Sequence, residues 1–156
     1  ASLPSVQPAD ETPLPIADCG LRIADCRLGI VCGKGRVFLM NPEELKKRTK
    51  AFALEVARPC ERLPRSRIAD RIANQLLRCG TSVGANYRAA CRAKSPADFI
   101  AKMSTVEEEC DETLYWIELL VESGLVHENR VADLLREANE LLSIVVASIK
   151  TARTRK

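Results

Sequence analysis

At 156 residues and a net charge of +3, the chain has room for one domain with a sizeable core and not for several. Aromatic residues make up 4% and His127 is the single histidine, so a zinc or di-metal centre has almost no ligands to draw on. The longest apolar stretch, Leu141 to Ile149, is interrupted by Ser143 and Ser148 and falls well short of the ~20 residues that span a bilayer.

No charged-then-apolar leader opens the chain, which predicts a cytoplasmic protein with reduced cysteines. Residues 1–39 hold Pro4, Pro8, Pro13 and Pro15, balance four basic against four acidic residues, and lack helical periodicity. Together with Met40 they are predicted to form a disordered extension. Within it, Ile16-Ala-Asp-Cys-Gly-Leu-Arg is followed by the near-copy Ile23-Ala-Asp-Cys-Arg-Leu-Gly. Two heptads cannot sustain a coiled coil, so the pair reads as a translated direct repeat of DNA. Met40 is the first methionine, and the working protein is expected to start there.

Four helices are predicted from residue 41 onward. Asn41, Pro42 and Glu44 supply an N-cap, an N1 proline and a box-like capping acid. The first helix follows to about Leu63 along Leu45, Phe52, Val56 and Cys60, with Pro59 kinking or shortening its last turn. The second spans about Ser66 to Ala93. Ser95-Pro96-Ala97-Asp98 starts the third, whose apolar line runs from Phe99 through Met103, Val106, Cys110 and Ile117 to Leu120, with Gly124 as its stop. The fourth runs from about Glu128 to Lys150, leaving 151–156 as a basic tail. Short connections make neighbours antiparallel, so the fold class is all-α: an up-down-up-down four-helix bundle over 41–150, preceded by the extension 1–40.

Charge is segregated between these helices. From Lys46 to Lys94 there are 13 Lys/Arg against Glu55, Glu61 and Asp70; from Asp98 to Glu140 there are 12 Asp/Glu against Lys102, Arg130 and Arg136. On a wheel of the second helix, Ile68, Ile72, Leu76, Cys79 and Val83 share a core arc, and Arg67, Arg71, Arg78, Arg88 and Arg92 form a stripe nearly opposite. Gln75, Ser82 and Asn86 border the stripe, placed for a helix–helix or subunit contact or for an RNA sugar edge. Gly80 and Gly84 mark the other border and predict close approach of another backbone. On the third helix Glu107, Asp111, Glu118 and Glu122 line up beside the core, while Tyr115 and Trp116 point away from it and suggest a partner surface.

From about Leu45 to Ile149 the chain resembles the four-helix-bundle family of intervening sequences in bacterial 23S ribosomal RNA genes. The likeness is carried by Gln75-Leu-Leu-Arg-Cys-Gly-Thr-Ser-Val-Gly-Ala-Asn-Tyr-Arg-Ala-Ala90, by Phe99-Ile-Ala-Lys-Met103 and by Val106-Glu-Glu-Glu-Cys-Asp-Glu-Thr-Leu-Tyr-Trp-Ile-Glu-Leu-Leu120. Gln75, Arg78, Ser82 and Asn86 match positions of the family pattern. Where many members read Asn-Ile-Ala-Glu-Gly, this chain reads Asn86-Tyr-Arg-Ala-Ala90, which exchanges an acid for a base. The resemblance implies a homopentameric ring and a likeness to accessory proteins of diversity-generating retroelements, which pair with a reverse transcriptase and bind nucleic acid. It implies no catalytic residues.

No phosphate loop, nucleophile–base pair or facing Glu-x-x-His motif is present, so no enzyme activity, metal or cofactor is expected. The predicted role is a ring-forming nucleic-acid binder, RNA before DNA, with Arg67, Arg71, Arg78, Arg88, Arg92, Lys150, Arg153, Arg155 and Lys156 on phosphates. Gln75, Ser82, Asn86, Tyr115, Trp116 and the acidic line of the third helix are the predicted subunit interface. The alternative is a protein scaffold or accessory subunit in which the arginine stripe packs on a neighbour's acidic face.

Overall fold

The computed structural model describes residues 28–32 and 36–154. A short hairpin of β1 (Leu28–Cys32) and β2 (Arg36–Met40) precedes four helices: α1 (Pro42–Cys60), α2 (Arg67–Ala90), α3 (Pro96–Glu122) and α4 (Ala132–Thr154). Each helix neighbours the next and α4 returns to α1, which closes the up-down-up-down bundle expected from the sequence.

Local chemistry sets the helix ends. Asn41 accepts from the Glu43 amide at 3.0 Å while Glu44 accepts from the Asn41 amide at 3.2 Å, completing the reciprocal cap. Pro59 sits in the final turn of α1, which stops at Cys60 rather than continuing to Leu63. Ser66 and Ser95 cap α2 and α3 through their hydroxyls, and Gly124, at φ 71°, takes the left-handed conformation after α3. The stretch expected to open the fourth helix is instead a 3-10 turn, Glu128–Arg130, and α4 starts two residues later.

The core is built from α1 residues Phe52 and Val56, α2 residues Leu76 and Val83, α3 residues Met103, Val106, Ile117 and Leu120, and α4 residues Leu141 and Val145. Gly80 lies where α1 crosses α2: a Cβ there would stand 2.8 Å from both methyls of Val56. The neighbour at Gly80 is thus a side chain rather than the backbone that was expected; a backbone approaches at Gly84, where the Thr49 carbonyl oxygen would stand 3.4 Å from a Cβ, and both neighbours belong to α1 of the same protomer. Cys60, Cys79, Cys91 and Cys110 are free thiols within or beside the core. Burial pushes Cys110 up to about 12 and Cys60 up to about 11, so both remain protonated and serve as packing groups.

Two features depart from the sequence reading. Ile68 was expected in the core, yet it is 66% exposed: it lies at the margin of the apolar arc, in the first turn of α2, beyond the end of α1. The hairpin falls inside the stretch expected to be disordered. Leu28 pairs with Met40 and Cys32 with Arg36 in an antiparallel register, and β1 runs alongside α4. Two β-prone runs flanking Gly33-Lys34-Gly35 are the signal for it. Most of the seven-residue repeat lies outside the described residues.

Candidate nucleic-acid interface

Antiparallel packing divides the α2 arginine stripe between the two ends of the bundle. Arg67 and Arg71 stand where α2 begins, level with the C-terminal end of α3. Arg88 and Arg92 stand where α2 finishes, level with the start of α1 and the C-terminal turns of α4. All four are exposed, and none forms an ion pair among the described residues.

Arg78, midway, is a correction to the predicted stripe. Its guanidinium bonds Glu112 and reaches Glu109 at 3.5 Å, and its Nε donates to Gln75 at 3.2 Å. The Trp116 indole donates to the same Glu112 carboxylate at 3.0 Å. Arg78 and the tryptophan hold the Glu112 carboxyl below the usual carboxylate range, Arg78 being the larger cause. Gln75, Arg78 and Trp116, expected on intermolecular surfaces, thus belong to a clamp that ties α2 to α3 within one protomer. Trp116 does not point away from the core as expected but is half-buried against it. Its long side chain folds back one turn toward Glu112, a reach that a helical wheel does not convey.

The end of the bundle holding Arg88 and Arg92 is strongly cationic. Lys46, Lys47 and Lys50 come from the first turns of α1, Lys94 from the α2–α3 connection, Lys102 from α3, and Lys150 with Arg153 from α4. Because α4 continues to Thr154, Lys150 and Arg153 are fixed on a helix instead of a loose tail; Arg155 and Lys156 lie outside the described residues. The acids at this end are Glu43, Glu44 and Asp98, and their carboxylates are engaged. Glu43 accepts from Lys46 at 2.5 Å, Glu44 caps α1, and Asp98 bonds Lys102 and the Lys94 amide. The hydrogen bond from Lys46, then its charge, lowers the Glu43 carboxyl, with Arg88 adding a smaller pull; Lys102 does the same for Asp98. The surplus is cationic and solvent-facing, the electrostatic pattern that suits a phosphate backbone.

The opposite end carries different chemistry. Ile68 and Ile72 of α2 and Trp116 and Leu119 of α3 line an open apolar groove edged by Arg67 and Arg71. Tyr115, 55% exposed, meets Trp116 edge-on with ring centroids 5.1 Å apart. Asp111, Glu118 and Glu122 are exposed on α3 and Glu107 is half-buried, all without ion pairs among the described residues. Ser82 and Asn86 are half-buried along α2.

One structural ion pair gave no signal in the sequence. Arg48 of α1 forks onto Glu137 at 2.6 and 2.8 Å and reaches Glu140 at 2.5 Å, joining α1 to α4. Its partners lie 89 and 92 residues away, beyond any local pattern; the one hint is a pair of acids spaced three apart on the fourth helix.

An antiparallel four-helix bundle with a cationic end and no helix long and apolar enough to cross a membrane among the described residues defines the class. The family model for the 23S rRNA-intervening sequence protein matches residues 43–147, and the chain belongs to that family. It is similar to a crystal structure, at 1.70 Å, of a protein of unknown function from the S23 ribosomal protein family of Bacteroides thetaiotaomicron VPI-5482. The two are 31% identical with a TM-score of 0.66 over 71% of this chain and 99% of that one. No curated protein matches.

Proposed function

We propose that the protein is a non-catalytic, cytoplasmic, ring-forming nucleic-acid binder, a homopentamer by its family resemblance, that holds RNA on the cationic end of each bundle. The observation that carries this reading is the exposed set of Arg88 on α2, Arg92 just beyond its end, and Lys150 and Arg153 on α4, none of which forms an ion pair among the described residues. Rigid helical positions give phosphate contacts with little base specificity. A protein partner such as a reverse transcriptase remains part of the proposal, resting on the resemblance alone.

Assembly and RNA binding would both draw on the α2 arginines. The division of α2 supports assigning them separately: Arg88 and Arg92 to nucleic acid, and Arg67 and Arg71, beside the apolar groove, to assembly with the acidic α3 face of a neighbour. Tyr115, exposed next to that groove, would be covered in the ring.

The test is fluorescence anisotropy with a labelled single-stranded RNA across a salt series. Arg88→Glu with Arg92→Glu, and separately Lys150→Glu with Arg153→Glu, should each weaken binding and flatten the log–log salt slope by about 0.7 per lost contact. Binding unchanged in both pairs would sink the assignment.

A further inference from the structure

A second cleft, of about 480 Å³, opens at the end of the bundle opposite Lys150 and Arg153. The last turn of α1 contributes Arg58, the loop after it Arg62, and the turn leading into α4 Arg130. Each guanidinium is exposed and none forms an ion pair or hydrogen bond to a carboxylate among the described residues. Two acids share the lining. Asp133 is taken up by Arg136 at 2.9 Å, which leaves Glu55 as the unpaired one. Basic residues at the end of α1 also offset that helix's negative pole, but Arg130 belongs to a different element and has no such reason to converge here.

Four apolar residues, Pro59, Leu125, Val126 and Leu134, share the lining with the three arginines, the two acids and His127. Space of this size suits a small ligand, and a lining that mixes apolar side chains with several charged ones suits a ligand that is part planar ring and part anion. Guanidinium groups bind phosphate oxygens in pairs and stack on planar rings. We propose that this cleft binds the phosphate monoester of a nucleotide, with Arg58, Arg62 and Arg130 around the phosphate, the base against Pro59 and Val126, and Glu55 accepting from ribose or base. The ligand would be either a free nucleoside monophosphate or the 5′-phosphorylated end of an RNA chain. This site is independent of the cationic end and stands or falls separately from it.

His127 lines the cleft and is the only histidine in the chain, so its imidazole resonances report on this site alone. AMP titrated into the full-length protein should shift them saturably. Arg130→Gln, and separately Arg58→Gln with Arg62→Gln, should weaken that response about tenfold or more, while Glu108→Gln, exposed on α3 and outside every proposed site, leaves it unchanged. Helical circular dichroism checks that each variant is folded. A short RNA with a 5′-phosphate that shifts His127 more tightly than AMP would identify the chain end as the ligand; AMP at least as tight would identify the free nucleotide. The proposal is overturned if neither shifts the signal at millimolar concentration, if the arginine variants respond like the parent, or if a 5′-hydroxyl RNA acts as strongly as its phosphorylated form.

Discussion

Gly80 and Gly84 stand one turn apart on α2, yet they should answer substitution in opposite directions. A methyl at Gly80 would meet Val56, a fully buried β-branched side chain whose χ1 is stiff. Overpacking of this kind costs about 1–3 kcal/mol, more than the ~1 kcal/mol that alanine returns in helix propensity. At Gly84 the nearest atom is the Thr49 carbonyl oxygen at 3.4 Å, an ordinary contact. Gly80→Ala should therefore lower the urea stability by up to about 2 kcal/mol, and Gly84→Ala should leave it level or raise it by up to about 1 kcal/mol. Equal effects at the two positions would mean that α1 and α2 do not cross where described. The buried thiols give a second residue-level expectation. Burial raises Cys110 from 9.0 to about 12 in the folded chain, while the unfolded chain ionises near the ordinary value. The folded state thus holds its proton above pH 9 where the unfolded state has lost it. Stability is full below that pH and falls as pH climbs toward 12, by up to about 1.4 kcal/mol per pH unit from this group. Urea midpoints from pH 7 to 11 should decline, and Cys110→Ala, less stable at pH 7, should decline less steeply.

At the level of elements, the bundle has one weakly packed seam. Among adjacent helix pairs, α1 and α4 contact each other least, and the Arg48 fork onto Glu137 and Glu140 bridges them. The three bonds strongly raise the basicity of the guanidinium, Glu137 contributing most. Arg48→Ala would leave two carboxylates one turn apart with no counter-charge, at a cost of about 2 kcal/mol. Glu140→Gln should cost less, because the two-pronged bond to Glu137 survives. Denaturation of the two variants gives the comparison; equal losses would argue against the fork. This seam also marks the limit of what the sequence discloses. Helix number, caps and most of the core were legible because Asn41, Ser95 and Gly124 act locally and the apolar spacing repeats every three or four residues. The segregated charge was legible for the same reason. The division of Arg67 and Arg71 from Arg88 and Arg92 was not, since a wheel records angle and discards height along the bundle axis. The engagement of Arg78 was hidden too, because Glu109 and Glu112 lie on the next helix and nothing short-range pairs them. The cleft lined by Arg58, Arg62 and Arg130 unites residues of separate elements and leaves no trace in any one stretch. The hairpin was within reach of β-propensity at residues 28–40, and proline content earlier in the extension obscured it.

The whole molecule poses the question of assembly, and the geometry changes how it must be asked. Reversing Arg71 together with Arg78 would break the Gln75–Arg78–Glu112 clamp inside the protomer, so loss of assembly in that pair would not separate misfolding from a lost contact. Arg67 and Arg71 are the informative pair. They form no ion pair among the described residues and are spaced four residues apart, as are Glu118 and Glu122 on α3. A ring needs a heterologous contact, one patch meeting a different patch on the next copy. If these two pairs are the patches, Arg67→Glu with Arg71→Glu sets acid against acid and should yield monomers in light scattering. Glu118→Lys with Glu122→Lys sets base against base and should do the same. A chain carrying all four substitutions regains opposite signs at every contact and should form the proposed ring. Mixing the two double variants is a sharper probe of subunit number. Their copies can alternate only in even-membered rings, and a five-membered ring always retains one repulsive contact. The mixture should therefore give open chains or even-numbered species, whereas the fourfold variant should give the proposed pentamer. A fourfold variant that stays monomeric, with its helical content intact, would remove these residues from the interface.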